Sequence, residues 1–229
     1  MERVLIVAAH PDDEILGVGG TAIRHAKAGD VVQAMIVAEG ATSREAKRKP
    51  STSQAELKAL KNAAKAAAKI IGAKEPIFAG LPDNRLDSVD LLDVVKVIEK
   101  TVEAFKPTII YTHHGGDLNV DHGIVARAVQ TAARPLPGSG IKAIYAFETV
   151  SSTEWHGPAG AVFDPVHFVE ISPFLAQKLK ALACYSMEMR EFPHARSLKA
   201  VEALARLRGA TAGIQAAEAF DIVRQVSPI

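Results

Sequence analysis

The chain has 229 residues, of which 48% are hydrophobic and 23% charged, with a formal net charge of +1. These values are typical of a globular protein with a substantial core, and the absence of a long block of one charge sign gives no support for a nucleic-acid partner. No apolar run approaches the roughly 20 residues that span a bilayer. The single cysteine, Cys184, excludes an internal disulfide, so we expect a cytoplasmic protein without a membrane span.

Strand-like and helix-like segments alternate through the first two thirds of the chain. Short apolar runs predict strands, and the longer amphipathic stretches between them predict helices. The predicted elements are a strand at 4–8, a helix at 14–28, a strand at 31–38, a helix from a capping box at Ser53 and Glu56 to 71, a strand at 76–79, a helix from 88 or 90 to 105, a strand at 108–112, a helix at 122–133 and a strand at 143–147. This alternation predicts an α/β fold, a Rossmann-like and mostly parallel sheet with helices on both faces.

The last third of the chain has a different order of elements. It predicts a strand at 166–171, helices at 173–183 and 197–207, and a polar loop at 188–196. No change in composition marks a domain boundary. We therefore expect one domain over 1–229, with a Rossmann-like core at 1–150 and an α+β C-terminal extension at 151–229 that packs on it.

Two clusters of polar side chains stand where predicted strands end. His10 and three carboxylates, Asp12, Asp13 and Glu14, follow the first strand at once, and a second cluster at 113–122 follows the strand at 108–112. In open α/β sheets, ligands bind at the carboxyl ends of the strands. Two such ends that both offer imidazole and carboxylate suggest one metal site built from distant parts of the chain.

Residue spacing indicates which side chains would form this site. His10 and Asp13 are three residues apart at a strand-to-helix junction and so share one face of a turn, which leaves Asp12 for another task. If the first and fourth strands are neighbours, His122 can join them, and three N and O ligands plus water is the pattern of a catalytic zinc site. A magnesium site on the Asp12–Asp13 pair stays open. A dinucleotide-binding loop is excluded, because its candidate glycines, Gly17, Gly19 and Gly20, fall inside the predicted helix.

On these residues the chain resembles the LmbE-like, or PIG-L, family of zinc-dependent deacetylases, over at least 4–133. The motif that carries the resemblance is Ala9-His10-Pro11-Asp12-Asp13-Glu14, paired with the later Asp121-His122. The resemblance implies that His10, Asp13 and His122 hold one Zn²⁺ or another divalent metal per chain, and that Asp12 is the general base. The implied reaction removes the acetyl group of a small-molecule amino sugar of the N-acetylglucosamine type and releases acetate; a nucleotide or lipid linkage of that sugar stays open.

The second motif departs from the family. Many members carry His-Pro-Asp-His there, whereas this chain has Asn119 at the first position. We expect His113 or His114 to supply the missing imidazole, with Asp117 holding its tautomer, or Asn119 to donate a neutral hydrogen bond instead. Asp121 resembles the carboxylate that orients a metal-binding imidazole.

Four loops are expected to ring the substrate pocket, at 39–48, 81–87, 151–156 and 188–196. The polar side chains expected to contact substrate there are Arg44, Asn84, Arg85 and His194.

Two other functions stay open: a non-catalytic sugar- or nucleotide-binding protein, which the departure at Asn119 suggests, and a zinc amidase with a non-sugar substrate. The oligomeric state also stays open, a homo-oligomer included.

Overall fold

A computed structural model describes residues 1–40, 54–157 and 160–227 of the chain. Arg44 and the capping residue Ser53 lie outside these residues, as does most of the loop at 39–48. The strands are β1 (Arg3–Ala8), β2 (Val31–Ala38), β3 (Ile77–Leu81), β4 (Ile109–His113), β5 (Ala143–Phe147), β6 (His167–Glu170) and β7 (Ala217–Gln225). The helices are α1 (Asp13–Lys27), α2 (Gln54–Ile71), α3 (Leu91–Phe105), α4 (Val120–Ala132), α5 (Leu175–Leu182) and α6 (Leu198–Thr211).

The strands form one seven-stranded sheet in the order β3-β2-β1-β4-β5-β7-β6. The first five are parallel, and β7 and β6 continue the sheet with antiparallel pairing. This confirms the predicted fold class. The strand order reverses between β1 and β4, and the crevice at such a switch point is where open α/β sheets bind ligands.

Helices cover both faces of the sheet, as the sequence predicted. One hydrophobic core packs alternate β1 residues, Val4 and Ile6, against α1, α2, α5 and α6. The other packs Leu5 and Val7 against α3 and α4. A strand whose successive side chains enter opposite cores is apolar throughout, which is why β1 reads as one continuous hydrophobic run.

Two element boundaries and one whole strand differ from the prediction in ways that affect the site. β4 extends by one residue to include His113, which pairs with Phe147 of β5. α4 begins at Val120 rather than His122, because the Asn119 side chain caps it by accepting the N–H of Asp121. β7 was not predicted at all, although its second half contains the β-favouring residues Phe220, Ile222 and Val223.

In the part of the chain that the structure describes, no helix combines the length and the hydrophobicity that crossing a membrane requires.

The first helix lies unusually close to β5. A methyl group added at Gly17 would lie 2.2 Å from Cδ2 of the buried Phe147, so the ring would have to move. We predict that Gly17→Ala lowers the free energy of unfolding by about 1–3 kcal/mol, despite the better helix propensity of alanine. Urea denaturation measures this. Gly123→Ala is the control, because its added methyl has no neighbour nearer than 3.6 Å. Equal stability of the two variants would contradict the prediction.

Candidate metal centre

The pairing of β1 with β4 brings together the residues that follow these strands. His10 Nδ1, Asp13 Oδ2 and His122 Nε2 form a triangle whose three sides each measure 3.3 Å. Asp13 and His122 are fully buried, and His10 is nearly so. The sequence predicted this set of three, and the structure places its ligand atoms around one point.

The size of the triangle fits a tetrahedral metal ion. Zinc binds imidazole nitrogen and carboxylate oxygen at about 2.0–2.2 Å, which places neighbouring ligand atoms of a tetrahedron about 3.3–3.5 Å apart. The observed sides of 3.3 Å match this value. Three ligands then leave one position of the tetrahedron open, as in catalytic zinc sites.

Each imidazole of the triangle has a carboxylate at its other nitrogen. Asp121 Oδ2 lies 3.1 Å from His10 Nε2, and Asp117 Oδ1 lies 3.1 Å from His122 Nδ1. A carboxylate at the distal nitrogen fixes the tautomer, so that the lone pair of the other nitrogen is directed at the metal. Asp121 therefore sits where the sequence placed it, whereas Asp117 contacts His122 rather than the expected His113 or His114.

The two carboxylates are themselves held in place. Asp121 accepts the backbone N–H groups of Asn84 and Leu86 at 2.7 and 2.9 Å. Asp117 accepts hydrogen bonds from the hydroxyls of Ser152 and Thr153. Burial alone would raise the pKa of Asp117, but these bonds and His122 lower it to about 2. The outer residues thus remain anions that support the triangle.

A second group of candidate ligands shares His10. It consists of His10 Nε2, Asp83 Oδ1 at 3.4 Å and Asp121 Oδ2 at 3.1 Å. One neutral imidazole offers one lone pair, so the two groups cannot both bind a metal through His10. Both oxygens of Asp121 accept backbone N–H groups, whereas Asp13 accepts one, from His10 to Oδ2, so the first group is the better candidate for a metal and the second supports it. Asp83 was not predicted, although it also follows a parallel strand, β3.

The charge of the triangle favours a cation. Burial lowers the pKa of His10, but hydrogen bonds to Asp121 and Asp13 outweigh it and raise the pKa to about 10. The pKa of Asp13 is lowered well below its usual value because His122 and His10 outweigh the effect of burial. Without a metal, a proton on His10 therefore provides the positive charge that these carboxylates stabilise.

This arrangement predicts that metal binding releases protons. His10, with a pKa raised to about 10, is protonated at neutral pH, and a metal must displace that proton. We expect at least one proton released per metal, because the pKa of His122 is also raised, and an apparent affinity that falls by at least about tenfold for each pH unit below 10. Calorimetry in buffers of different ionisation enthalpy measures the protons, with a simple chelator as control. Affinity that stays constant between about pH 6 and 9 would contradict the prediction.

Asp12 lies beside the triangle in a strained conformation. Its φ is +111°, a value that costs a residue with a side chain about 1–3 kcal/mol, and its side chain is fully buried. Its N–H donates to Glu14 Oε2 at 3.1 Å, and Tyr185 donates to the other oxygen of Glu14. Burial raises the pKa of Asp12 well above its usual range. Glu14, which accepts from the backbone of Asp12 and from Tyr185, therefore holds the turn.

The partner of Asp12 is a residue that the sequence did not single out. Arg196 Nη1 donates to Asp12 Oδ2 at 3.1 Å, across 184 positions of the chain. Asp12 Oδ1 is buried and has no hydrogen-bond partner among the residues that the structure describes. The sequence offered only a weak signal for this contact, because Arg196 ends the loop at 188–196 that was expected near the pocket.

His113 is not placed for proton transfer. It is the last residue of β4, buried and stacked on His122 with ring centroids 3.9 Å apart. Its Nε2 accepts the N–H of Ala9 at 2.8 Å, and its Nδ1 lies 3.3 Å from Thr149 Oγ1. Burial and the charge of His122 lower its pKa well below the usual range. This geometry disfavours His113 as the residue that supplies the missing imidazole, and that role stays a prediction.

His114 and Asn119 also have their polar atoms engaged elsewhere. His114 Nδ1 lies 2.8 Å from Asp221 of β7, and its Nε2 lies 2.9 Å from the carbonyl oxygen of Ala161. Asn119 caps α4 through Oδ1 and donates through Nδ2 to Asn84 Oδ1 at 2.8 Å. These contacts are structural, so the geometry disfavours both residues as the missing assisting group.

Three of the four expected loops reach the cluster. Asn84 contacts Asp121 through its backbone and Asn119 through its side chain, and its own side chain is exposed. Arg85 is half-buried nearby. His194 is exposed, accepts the N–H of Arg196 at 3.0 Å and packs edge-to-face with Trp155. Their contact with substrate stays a prediction.

Fold and site together define a Rossmann-like α/β protein with a histidine–aspartate cluster, able to hold a metal, at the switch point of its sheet. The PIG-L family, described as GlcNAc-PI de-N-acetylase, matches residues 5–133. The chain belongs to this family.

Other proteins resemble the chain over most of its length. It is 26% identical over 189 residues, 81% of each chain, to the probable N-acetyl-alpha-D-glucosaminyl L-malate deacetylase 2 of Bacillus anthracis. The N,N'-diacetylchitobiose deacetylase of Pyrococcus horikoshii superimposes with a TM-score of 0.77 at 17% identity, covering 97% of this chain and 84% of that one. GalB, the 4-carboxy-2-hydroxymuconate hydratase of Pseudomonas putida, superimposes with a TM-score of 0.75 at 22% identity, covering 100% and 99%. The fold is thus common to deacetylases and a hydratase.

Proposed function

We propose that this protein is a zinc-dependent deacetylase that hydrolyses the acetamide of an N-acetylglucosamine-type amino sugar in the cytoplasm. The observation that carries the proposal is the 3.3 Å triangle of His10, Asp13 and His122 beside the buried Asp12. Metal ligands alone would let the protein bind a metal but would not provide a proton acceptor for hydrolysis. An adjacent carboxylate, one of whose oxygens accepts no hydrogen bond within 1–40, 54–157 and 160–227, adds the acceptor that hydrolysis needs.

Each residue has a defined task in this reaction. His10, Asp13 and His122 would hold the zinc ion, which would supply a Lewis acid and lower the pKa of water toward about 7. Asp12 accepts the proton of the attacking water through Oδ1 as the new C–O bond forms at the amide carbon. When the C–N bond breaks, Asp12 returns that proton to the leaving amine, and the products are acetate and a free amino sugar. A raised pKa of Asp12 suits a group that must both accept and return a proton.

The substrate class rests on the relatives. The Bacillus relative is named for an N-acetylglucosaminyl malate and the Pyrococcus protein for diacetylchitobiose, and both substrates carry an acetamido sugar. The half-exposed Trp155, next to His194 and near Arg196, offers an aromatic face for a sugar ring.

The test is acetate release by the zinc-loaded protein. We would assay free N-acetylglucosamine, its malate glycoside, diacetylchitobiose and nucleotide-linked N-acetylglucosamine, with chelator-treated protein as control. We expect release from at least one substrate, which chelator abolishes and zinc restores. Stoichiometric zinc without acetate would favour the amidase with a non-sugar substrate, and metal content well below one per chain would favour the non-catalytic binding protein.

A further inference from the structure

Two neighbouring carboxylates occupy different environments beside the triangle. Asp13 Oδ2 lies 3.3 Å from both metal-facing imidazole nitrogens, whereas Asp12 Oδ2 is paired with Arg196 Nη1 at 3.1 Å. Both carboxylates are fully buried. Adjacent in sequence and close to one cation site, they are chemically equivalent oxygen ligands, so something other than residue type must give them different tasks.

Arg196 is held in place by contacts on both sides of its guanidinium. Its Nε donates to Ser151 Oγ at 2.7 Å, and its Nη1 lies 3.7 Å from Glu188 Oε2 as well as 3.1 Å from Asp12. Its side chain is 22% exposed, which is low for an arginine. A planar group with two fixed hydrogen bonds is a preorganised anchor rather than a surface side chain that swings.

We propose that Arg196 is the positioning residue that keeps Asp12 out of the metal's coordination sphere and thereby makes it the base. The pairing occupies Oδ2 and leaves Oδ1 as the acceptor. Among the residues that the structure describes, Arg196 is the cation paired with Asp12, and without its guanidinium coordination becomes the most favourable state of a buried carboxylate next to a divalent cation. The left-handed backbone of Asp12 turns the side chain, and Arg196 fixes it there.

The requirement is for arginine rather than for positive charge. The Nε and Nη1 donors reach Ser151 and Asp12 simultaneously, which a single ammonium on a flexible stem does not reproduce. Arg196→Lys is therefore expected to behave like Arg196→Ala. This second variant also provides the test if the alanine variant fails to fold.

The test uses the protein loaded with Co²⁺. The visible absorption of four-coordinate, tetrahedral Co²⁺ weakens when the ion gains a fifth ligand. We expect Arg196→Ala and Arg196→Lys to keep one cobalt per chain but show weaker absorption. In the background of Asp12→Asn, the same substitutions should leave the spectrum unchanged. Arg206→Ala is the matched control, because Arg206 pairs with Glu202 on the exposed surface of α6.

Kinetics give a second readout, which rests on the proposed deacetylase function. We expect kcat to fall by about 10²-fold with KM nearly unchanged, the size of a lost general base, and added guanidinium ion to restore part of it in Arg196→Ala. An unchanged cobalt spectrum would overturn the proposal. A rise in KM alone would also overturn it, because Arg196 would then bind substrate. A rise in kcat would overturn it as well, because Arg196 would then inhibit the reaction. If the wild type releases no acetate, the proposed function fails, while the cobalt spectra still decide the role of Arg196.

Discussion

Asp12→Asn is expected to keep the metal and to lower turnover by about 10²–10⁴-fold, the contribution of a general base. The amide has the shape of the carboxylate but cannot accept the water's proton. Its oxygen can still accept the hydrogen bond of Arg196, so the turn before α1 should keep its conformation. Elemental analysis and initial rates on the same zinc-loaded preparation measure the two properties together.

The control for this prediction is removal of a ligand. His10→Ala, Asp13→Ala and His122→Ala should each lose the metal, because the triangle then has only two ligand atoms. Turnover would fall in all four variants, but metal content separates them. If Asp12→Asn released zinc while Asp13→Ala retained it, the two carboxylates would have exchanged tasks and our assignment would be wrong.

Glu218→Ala is expected to lower the free energy of unfolding by about 3–5 kcal/mol, the usual cost of leaving one buried charge without its partner. Lys178 Nζ lies 2.6 Å from Glu218 Oε1, and each side chain is 4% exposed. Glu218 also accepts the N–H groups of Gly20 and Thr21, at 2.8 and 2.7 Å, in the middle of α1. The substitution would leave the buried Lys178 without its carboxylate and would remove the acceptor of the Gly20 and Thr21 N–H groups.

This ion pair fastens α1, the helix that begins with Asp13, to β7. Lys178 donates to the carbonyl oxygen of Leu16 at 2.7 Å, so both residues of the pair bond to the backbone of α1. Denaturant unfolding of Glu218→Ala measures the loss. Glu202→Ala is the control, because it breaks an exposed pair with Arg206 and should change stability by no more than about 1 kcal/mol. Equal effects in the two variants would show that burial adds nothing here.

Much of the metal centre could be predicted because it depends on local patterns. The apolar runs before His10 and before the polar cluster at 113–122 identify two parallel strands, and parallel strands present their carboxyl ends at one edge of the sheet. The three-residue spacing of His10 and Asp13 then selects the ligands from the first cluster. These inferences need only the strand and helix periods and the direction of the chain.

The roles of His113 and His114 could not be predicted in this way. The sequence shows two histidines after a strand and before a Gly-Gly pair, which suggests a loop near the metal. In the fold, hydrogen bonds to β5 extend β4 to His113, and β7 supplies Asp221 to His114. A side chain's freedom to act depends on which groups already bond its polar atoms, and those partners come from elsewhere in the chain.

The sequence by itself determined the fold class, because the period of apolar residues selects strands and helices and their alternation selects a parallel sheet. Tertiary structure decided that β1 lies next to β4, and it decided the pairing of Arg196 with Asp12 and of Lys178 with Glu218. These two pairs join residues 184 and 40 positions apart, and no local pattern specifies a contact whose partners meet only after the sheet has formed.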